Sequence, residues 1–318
     1  MIGDFCLDAY WQLADTGTEP SLETGKPTRA VLSQRYSPGG AGNVATNCAA
    51  LGAGTVCAFG VIGPDMFGRE LASLLGKRGI DSSGLVVQQQ DWETPVYAKP
   101  YLGQREQERI DFGRWNVMRS EEELERRLLG SLPRLDAIVV NQQLERGIQS
   151  QLMIRRLNEI AREHPLVTFV LDARTMSESF SGMICKLNAA EAARQAARSG
   201  EARASGAPES IRMNARVIGK RCGKPVFVTR GAGGILLYDG AEYTDIPAVA
   251  IDGPIDTVGA GDATVAAITA ALAAGGTLVE SGEIGNLAGG VTATKLRETG
   301  TATRGEILAM AHRCDIAS

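Results

Sequence analysis

Asp256-Thr257-Val258-Gly259-Ala260-Gly261-Asp262, running on into residues 263–276, is the stretch that decides how this chain is read. Small residues first give the backbone room to turn. Val265, Ile268 and Leu272 then recur at spacings of three and four, which predicts a helix with one buried stripe. A helix N-terminus leaves backbone N–H groups unpaired and carries partial positive charge, so Gly259, Ala260 and Gly261 would line a cradle for an anion. Glycine has no Cβ to block close approach there. Asp262 would lie beside the cradle, able to take a proton from an alcohol attacking a phosphoryl group. Taken alone, the same residues also describe a Gly-rich turn with an ordinary acid at a helix start.

Composition narrows the alternatives. The chain has 318 residues, 44% of them hydrophobic, enough for a large core, and a formal charge of −4. That charge gives no general bias toward nucleic acid or an anionic membrane, so no partner of either kind is expected. No apolar run approaches the roughly 18 residues of a membrane span, and no secretory leader pattern opens the chain. Six scattered cysteines (Cys6, Cys48, Cys57, Cys185, Cys222, Cys314) lack metal-ligand spacing and read as reduced thiols of a cytoplasmic protein. His164 and His312 are the only histidines, and neither has the local company for zinc or triad chemistry. The chemistry therefore rests on carboxylates and backbone dipoles.

Strand-like runs at 55–61, 136–141, 166–172, 226–230 and 234–238 alternate with helix-like runs at 43–51, 65–78, 121–129, 148–162, 189–199 and 210–222. This alternation predicts an α/β fold with a mainly parallel sheet covered on both faces, and a ligand beyond the carboxyl ends of the strands. Two stretches break the rhythm. Residues 12–37 are polar, and 94–115 alternate without helical spacing; together they would form a small sheet over the main body. Residues 200–209 read as a small-residue loop and not a domain linker. At the start, Gly3-Asp4 normally follows a strand, yet almost none precedes it, so the first strand is either shortened or preceded by further residues.

A second constellation comprises Asp4, Asp8, Gly39, Gly40 and Asn43. Asp and Asn supply the acceptors and donors that vicinal sugar hydroxyls need, and adjacent glycines allow close approach or hinge motion. Taken alone, this too could be a glycine turn with an Asn cap.

Ser37-Pro38-Gly39-Gly40-Ala41-Gly42-Asn43 resembles the amino-terminal signature of the PfkB/ribokinase family of carbohydrate kinases, and DTVGAGD resembles the carboxy-terminal one. They stand about 220 residues apart, as in that family. GDFCLDAYW, PGGAGNVATNCAALGA and the distal KL…TGTAT run look most like the heptose-7-phosphate kinases, the kinase portion of ADP-heptose synthases. The resemblance implies a single ribokinase-like domain over 1–318, a three-layer α/β/α sandwich with lid segments at about 9–37 and 94–115. It implies Asp8, Gly39, Gly40 and Asn43 as sugar contacts and Asp262 as catalytic base. Asn188-Ala189-Ala190-Glu191 matches the NxxE motif, which organises Mg²⁺ and phosphate through water. Thr229, Gly231 and Gly234 resemble the turn near the nucleotide, Asn286 falls where the family contacts adenine, and Asp256 where relatives hold a monovalent cation such as K⁺. ATP and Mg²⁺ are thus the implied cofactors, and a homodimer through the lid is the implied assembly. Arg109-Ile110-Asp111-Phe112 resembles the heptose kinases' lid strand, and an arginine there suits a phosphorylated sugar; a solvated charge pair is the plainer reading.

The chain also departs from that branch. Asn141-Gln142-Gln143-Leu144-Glu145-Arg146-Gly147 stands where heptose kinases carry DYxKG, and Asp172-Ala173-Arg174 replaces a DPK-like run. These positions face the substrate, so another sugar or a nucleoside is an alternative acceptor, and a catalytically silent sensor is an alternative to an enzyme. Gly40-x-Gly42-x-x-Ala45 with Asp65 fits a loose dinucleotide fingerprint, but polar residues and Pro38 precede it where a buried strand is needed. No GxxxxGK[ST] loop is present.

Overall fold

The computed structural model describes residues 1–15, 19–198, 207–296 and 300–317. Residues 200–206 of the expected loop, 16–18 of the first lid segment and Thr299 of the distal run lie outside the described residues. Seven strands form the main sheet in the order Ile2–Gly3, Ala137–Gln142, Thr168–Ala173, Ile184–Asn188, Val226–Thr229, Ile235–Tyr238 and Tyr243–Ile246. The first five run parallel and the last two antiparallel. Alternate residues of a strand face opposite sides. Ile138 and Val140 accordingly enter one core with Phe169 and Leu171, whereas Val139 and Val170 enter the other.

Each face of the sheet carries its own helices. Glu121–Ser131, Gln151–Glu163 and Pro208–Cys222 supply Leu124, Leu157 and Ile218 to the first core. Ala41–Ala50, Met66–Lys77 and Ala260–Ala273 supply Val44, Leu71 and Val265 to the second. The result is an α/β/α sandwich. Two helices that the spacing of apolar residues did not reveal, Leu278–Ala293 and Arg304–Ala317, belong with the second face. Leu278–Ala293 is rich in glycine and has no stripe of large residues. Its Gly285 lies so close to Ile268 that a Cβ there would stand 2.6 Å from the Ile268 Cγ1.

The expected strand at 55–61 is broken. Val56–Cys57 pairs with Ile80–Asp81 and Gly60–Ile62 with Leu85–Val87, and only a bridge from Phe59 to Ile2 joins them to the main sheet. The small second sheet runs Ile110–Phe112, Val96–Leu102, Phe5–Leu13 and Val31–Gly40, with Arg105–Glu106 paired to Val96–Leu102. The chain thus crosses from one sheet to the other at Asp4. Among the described residues, no helix is long and apolar enough to cross a membrane.

Asp4 governs that crossing. Its carboxylate is buried and accepts from the backbone N–H groups of Gln143 (2.8 Å), Leu144 (2.8 Å) and Ile148 (3.0 Å). Its carbonyl accepts from Ala41 N at 3.0 Å, fixing the start of helix Ala41–Ala50. Gly40 caps that helix at φ 54°, and a Cβ there would stand 2.5 Å from the Asp4 carbonyl oxygen. Glycine is therefore required on both conformational and steric grounds. Replacing Asp4 by alanine would strand three N–H donors. We expect Asp4→Ala to lower the urea unfolding free energy by at least about 3 kcal/mol, at about 1–3 kcal/mol per stranded donor; a loss below about 1 kcal/mol would exclude the role.

Candidate active site

The carboxyl ends of the parallel strands and the N-terminus of helix Ala260–Ala273 meet in one cleft. Gly259 caps that helix at φ 80°, and Asp262 is its third residue. Asn43 Nδ2 donates to Asp262 Oδ2 at 2.6 Å, joining residues 219 apart in sequence. Asn43 is itself braced, because Asn47 Nδ2 donates to its carbonyl at 3.0 Å and Ala302 N donates to Asn47 Oδ1 at 3.2 Å. Burial pushes the Asp262 pKa up to about 6, and the Asp172 charge adds to the rise. The Asn43 hydrogen bond, Lys186 and Arg174 act in the opposite sense.

Lys186 was not singled out from sequence. It lies in Ile184–Asn188, a strand the apolar spacing did not reveal, with its ammonium 3.2 Å from Asp172 Oδ1. Asn141 Nδ2 donates to the other Asp172 oxygen at 3.0 Å. A Cβ on Gly261 would stand 3.1 Å from Lys186 Nζ, so the amine adjoins the anion cradle. Burial alone would pull the Lys186 pKa down. Asp172, Glu191 and Asp262 outweigh it and hold the group above the ordinary lysine value, so it is a cation at neutral pH. A lysine two residues before the Asn of NxxE, within an otherwise apolar strand, is the signal that could have found it.

The first-signature residues gather beside this centre. A Cβ on Gly39 would meet Asp8 Oδ2 at 3.0 Å and Cys6 Sγ at 2.9 Å. Burial raises the Cys6 thiol well above its usual range, and the Asp8, Asp4 and Asp262 charges add to this, which sets the three acids around one thiol. Asp8 pairs with Lys99 at 3.1 Å. Arg174 forms no ion pair among the described residues, and its charge acts on both Asp262 and Tyr97. Arg109 is instead held by Asp111 through two hydrogen bonds of 2.6 and 2.9 Å, with its guanidinium 4.4 Å from the Tyr97 ring centroid. Arg146 lies over Trp115, 5.3 Å from its centroid.

On the other side of the cleft, Asn188, Ala189, Thr229, Arg230, Gly231 and Gly233 line a cavity of about 530 Å³. Asn188 and Glu191 form a capping box there, each side chain accepting from the other's backbone N–H at 2.9 Å. This leaves Asn188 Nδ2 and Glu191 Oε1 without a protein hydrogen-bond partner among the described residues. Gly234 closes the same turn, donating to the Gly231 carbonyl at 3.0 Å. Asn286 lies farther off and donates to the Pro247 carbonyl. Asp256 accepts from Val258 N at 3.0 Å and borders a second cavity, beneath the small sheet. Among the described residues, no cluster of three or more acidic, His or Cys side chains could hold a metal directly.

A parallel-sheet sandwich with a helix N-terminus, a buried carboxylate and a buried ammonium around one cleft is the architecture expected of an α/β phosphotransferase. Residues 10–303 match the pfkB family carbohydrate kinase profile, and the chain belongs to that family. The chain is similar to the bifunctional protein HldE of Hahella chejuensis, 28% identical over 303 residues, covering 93% of this chain and 60% of the relative. The corresponding protein of Azorhizobium caulinodans is 30% identical over 332 residues, covering 98% and 64%. The chain thus spans about three fifths of the length of these relatives. Among solved structures, phosphofructokinase-2 of Escherichia coli in complex with potassium superposes with a TM-score of 0.75 at 19% identity, covering 99% of both chains. The ribokinase of Thermotoga maritima gives 0.75 at 21%, covering 98% of both. These likenesses establish the ribokinase-like fold.

The placement of Lys186 generates a test. Lys186→Met should lower turnover at least about 10²-fold, the range seen when one preorganised donor to transition-state charge is removed. A well-folded variant with near-native turnover would exclude a role in the chemistry.

Proposed function

We propose that this chain binds MgATP along the Asn188–Gly233 cavity and transfers the γ-phosphoryl group to a sugar hydroxyl held between Asp8, Gly39, Gly40 and Asn43. The observation that carries the reading is Asp262 itself: a carboxylate beside a helix N-terminus, oriented by Asn43 at 2.6 Å, with a pKa raised to about 6. Such a base is ionised at neutral pH yet closer to its working range than a solvent-exposed aspartate. Asp262 accepts the proton of the attacking hydroxyl. The N–H groups at Gly259 and Gly261, with the Lys186 ammonium, offset charge on the transferred group, consistent with phosphoryl transfer by positioning and electrostatics, whereas the Ala260 N–H donates to the Thr257 carbonyl at 3.2 Å. Arg174, whose charge acts on Asp262, is a further cation on that side of the cleft.

Mg²⁺ fits this site only through water: Glu191 Oε1 can accept from a Mg²⁺-bound water, Asn188 Nδ2 can donate to a phosphate oxygen, and among the described residues no cluster of acidic, His or Cys side chains could hold the ion directly. When bound, the ion would neutralise the nucleotide phosphates. Asp256 supports a K⁺ site by analogy with the potassium complex of phosphofructokinase-2. The small sheet is assigned as a lid that excludes water from the reaction, and pairing of two lids is the proposed assembly. A cytoplasmic location accords with the ATP requirement. The relatives' name and the heptose-kinase-like motifs support heptose 7-phosphate as the first acceptor to try. A coupled ADP-release screen over sugars and sugar phosphates tests the reading. Absence of sugar-dependent ADP release, with ATP still bound, would replace the enzyme by a silent sensor.

Two outcomes follow for Asp262. Turnover should rise with pH through about 6, as the base loses its proton, and then level off; a flat profile from pH 5 to 8 would reject the assignment. Asp262→Asn should lower turnover at least about 10²-fold while ATP binding stays within a few-fold. The linkage runs in the opposite direction. Because folding raises this pKa, the ionised group disfavours the native state, increasingly as pH climbs from the ordinary aspartate value to about 6. The Asn variant should therefore unfold at neutral pH no more readily than the native chain.

A further inference from the structure

The inner face of the lid carries cations that the proposed mechanism leaves unused. Asp8, Tyr10 and Gln12 alternate along strand Phe5–Leu13 and so share one face. Level with Asp8 are Tyr97 and Ser37; level with Tyr10 are Lys99 and Arg35. The Arg35 guanidinium lies 4.2 Å from the centroid of the Tyr10 ring, and the Lys99 ammonium 4.9 Å from the same centroid. Lys99 shares one carboxylate, Asp8, at 3.1 Å. Arg35 forms no ion pair among the described residues. Two cations thus meet on one aromatic ring with a single carboxylate between them.

Tyr10, Gln12, Arg35 and Lys99 line a cavity of about 620 Å³ that is also bordered by Asp256 and Val258, from the turn that carries Asp262. The two acids that also border it are engaged: Glu106 accepts from the Tyr101 hydroxyl at 2.8 Å, and Asp256 accepts from Val258 N. Two residues along a strand span roughly 7 Å. A sugar anchored at Asp8, with its reacting hydroxyl toward Asp262, would therefore reach the Tyr10 row with its far end. Arg109, the lid arginine of the sequence resemblance, is less available, since Asp111 neutralises it through two hydrogen bonds.

We propose that Arg35 and Lys99, aligned on Tyr10, form the subsite for a phosphate monoester already present on the acceptor sugar, at the end remote from the hydroxyl to be phosphorylated. This rests on the reading of Asp8 as the sugar anchor. A phosphate monoester suits the pair, because Lys99 is only partly balanced by Asp8 and the full positive charge of Arg35 faces the cavity without a carboxylate partner among the described residues. The guanidinium offers several N–H donors to phosphate oxygens, and its stacking on Tyr10 holds it ready.

The test compares heptose 7-phosphate and fructose 6-phosphate with the same sugars lacking phosphate, using the full chain and its Arg35→Gln, Arg35→Lys and Lys99→Gln variants. Arg35→Gln should raise KM for the preferred sugar phosphate by about ten- to a hundred-fold, the range for a hydrogen bond to a charged group, with kcat and the KM for ATP within a few-fold. Arg35→Lys should recover part of the loss, and Lys99→Gln should act in the same direction as Arg35→Gln. In the Arg35 variants the KM for the unphosphorylated sugar should not move; Lys99→Gln also removes the partner of Asp8 and is read only by the direction of its effect on the sugar phosphate. An equal rise for both forms, or no rise with the sugar phosphate still turned over, overturns the subsite. Turnover of neutral sugars alone overturns it too and leaves the kinase reading standing. Where no sugar is turned over, calorimetry with heptose 7-phosphate reads the subsite by itself: weaker binding in Arg35→Gln supports it, and unchanged binding overturns it.

Discussion

A buried carboxylate at Asp4 joins three parts of the chain that have no sequence proximity. Its side chain satisfies the N–H groups of Gln143, Leu144 and Ile148, and its carbonyl satisfies Ala41. An ionised group in such a position is expensive unless it is fully hydrogen-bonded. Burial pushes the Asp4 pKa up to about 6, while the three backbone donors restrain the rise. The same residue marks where the backbone leaves the main sheet for the lid. Helix Ala41–Ala50, which carries Asn43, the loop after Ala137–Gln142 and strand Phe5–Leu13 are thereby tied to one residue.

Around Asp262 the governing effect is charge balance in a confined volume. Two carboxylates, Asp172 and Asp262, would repel each other if nothing intervened. Lys186 compensates them from within the sheet, bonding to Asp172 and adjoining Gly261. Burial, with the Asp172 charge, raises the Asp262 pKa while Lys186 restrains the rise, and the arrangement places a fixed positive charge next to Gly261. Such preorganisation needs no rearrangement when charge moves during phosphoryl transfer. The capping box at Asn188 and Glu191 plays a supporting part. It fixes the helix start beside the Asn188–Gly233 cavity and leaves one polar atom of each side chain without a protein partner among the described residues.

The lid works by a different economy. Its strands are short and partly exposed, and their side chains hold each other through charge and aromatic contacts, as Arg109 does with Asp111 and Tyr97. Exposed pairs of this kind add little to stability. Their value is orientation: they decide which cations are already neutralised and which remain open toward the cleft.

Much of this was legible in the residues. The periodic runs at 121–129 and 210–222 became helices Glu121–Ser131 and Pro208–Cys222, and the alternation of strands and helices implied the sandwich, because amphipathic spacing is a local property. The helix Leu278–Ala293 escaped that logic. It packs through glycines and alanines against Ile268, and close packing by absent side chains leaves no hydrophobic stripe to read. The broken strand at 55–61 and the hidden strand Ile184–Asn188 escaped it as well, since pairing partners and not composition define a strand's limits. For the site, the sequence by itself determined which residues can do chemistry: an acid after a Gly-rich turn, an Asn in a second one, and an NxxE helix start. Only the tertiary structure decided that Asn43 orients Asp262, that Lys186 adjoins Gly261, and that Arg109 is neutralised while Arg35 is not. Those facts depend on distances between residues far apart in the chain, and electrostatic effects are set by such distances and by burial, neither of which is written in the order of residues.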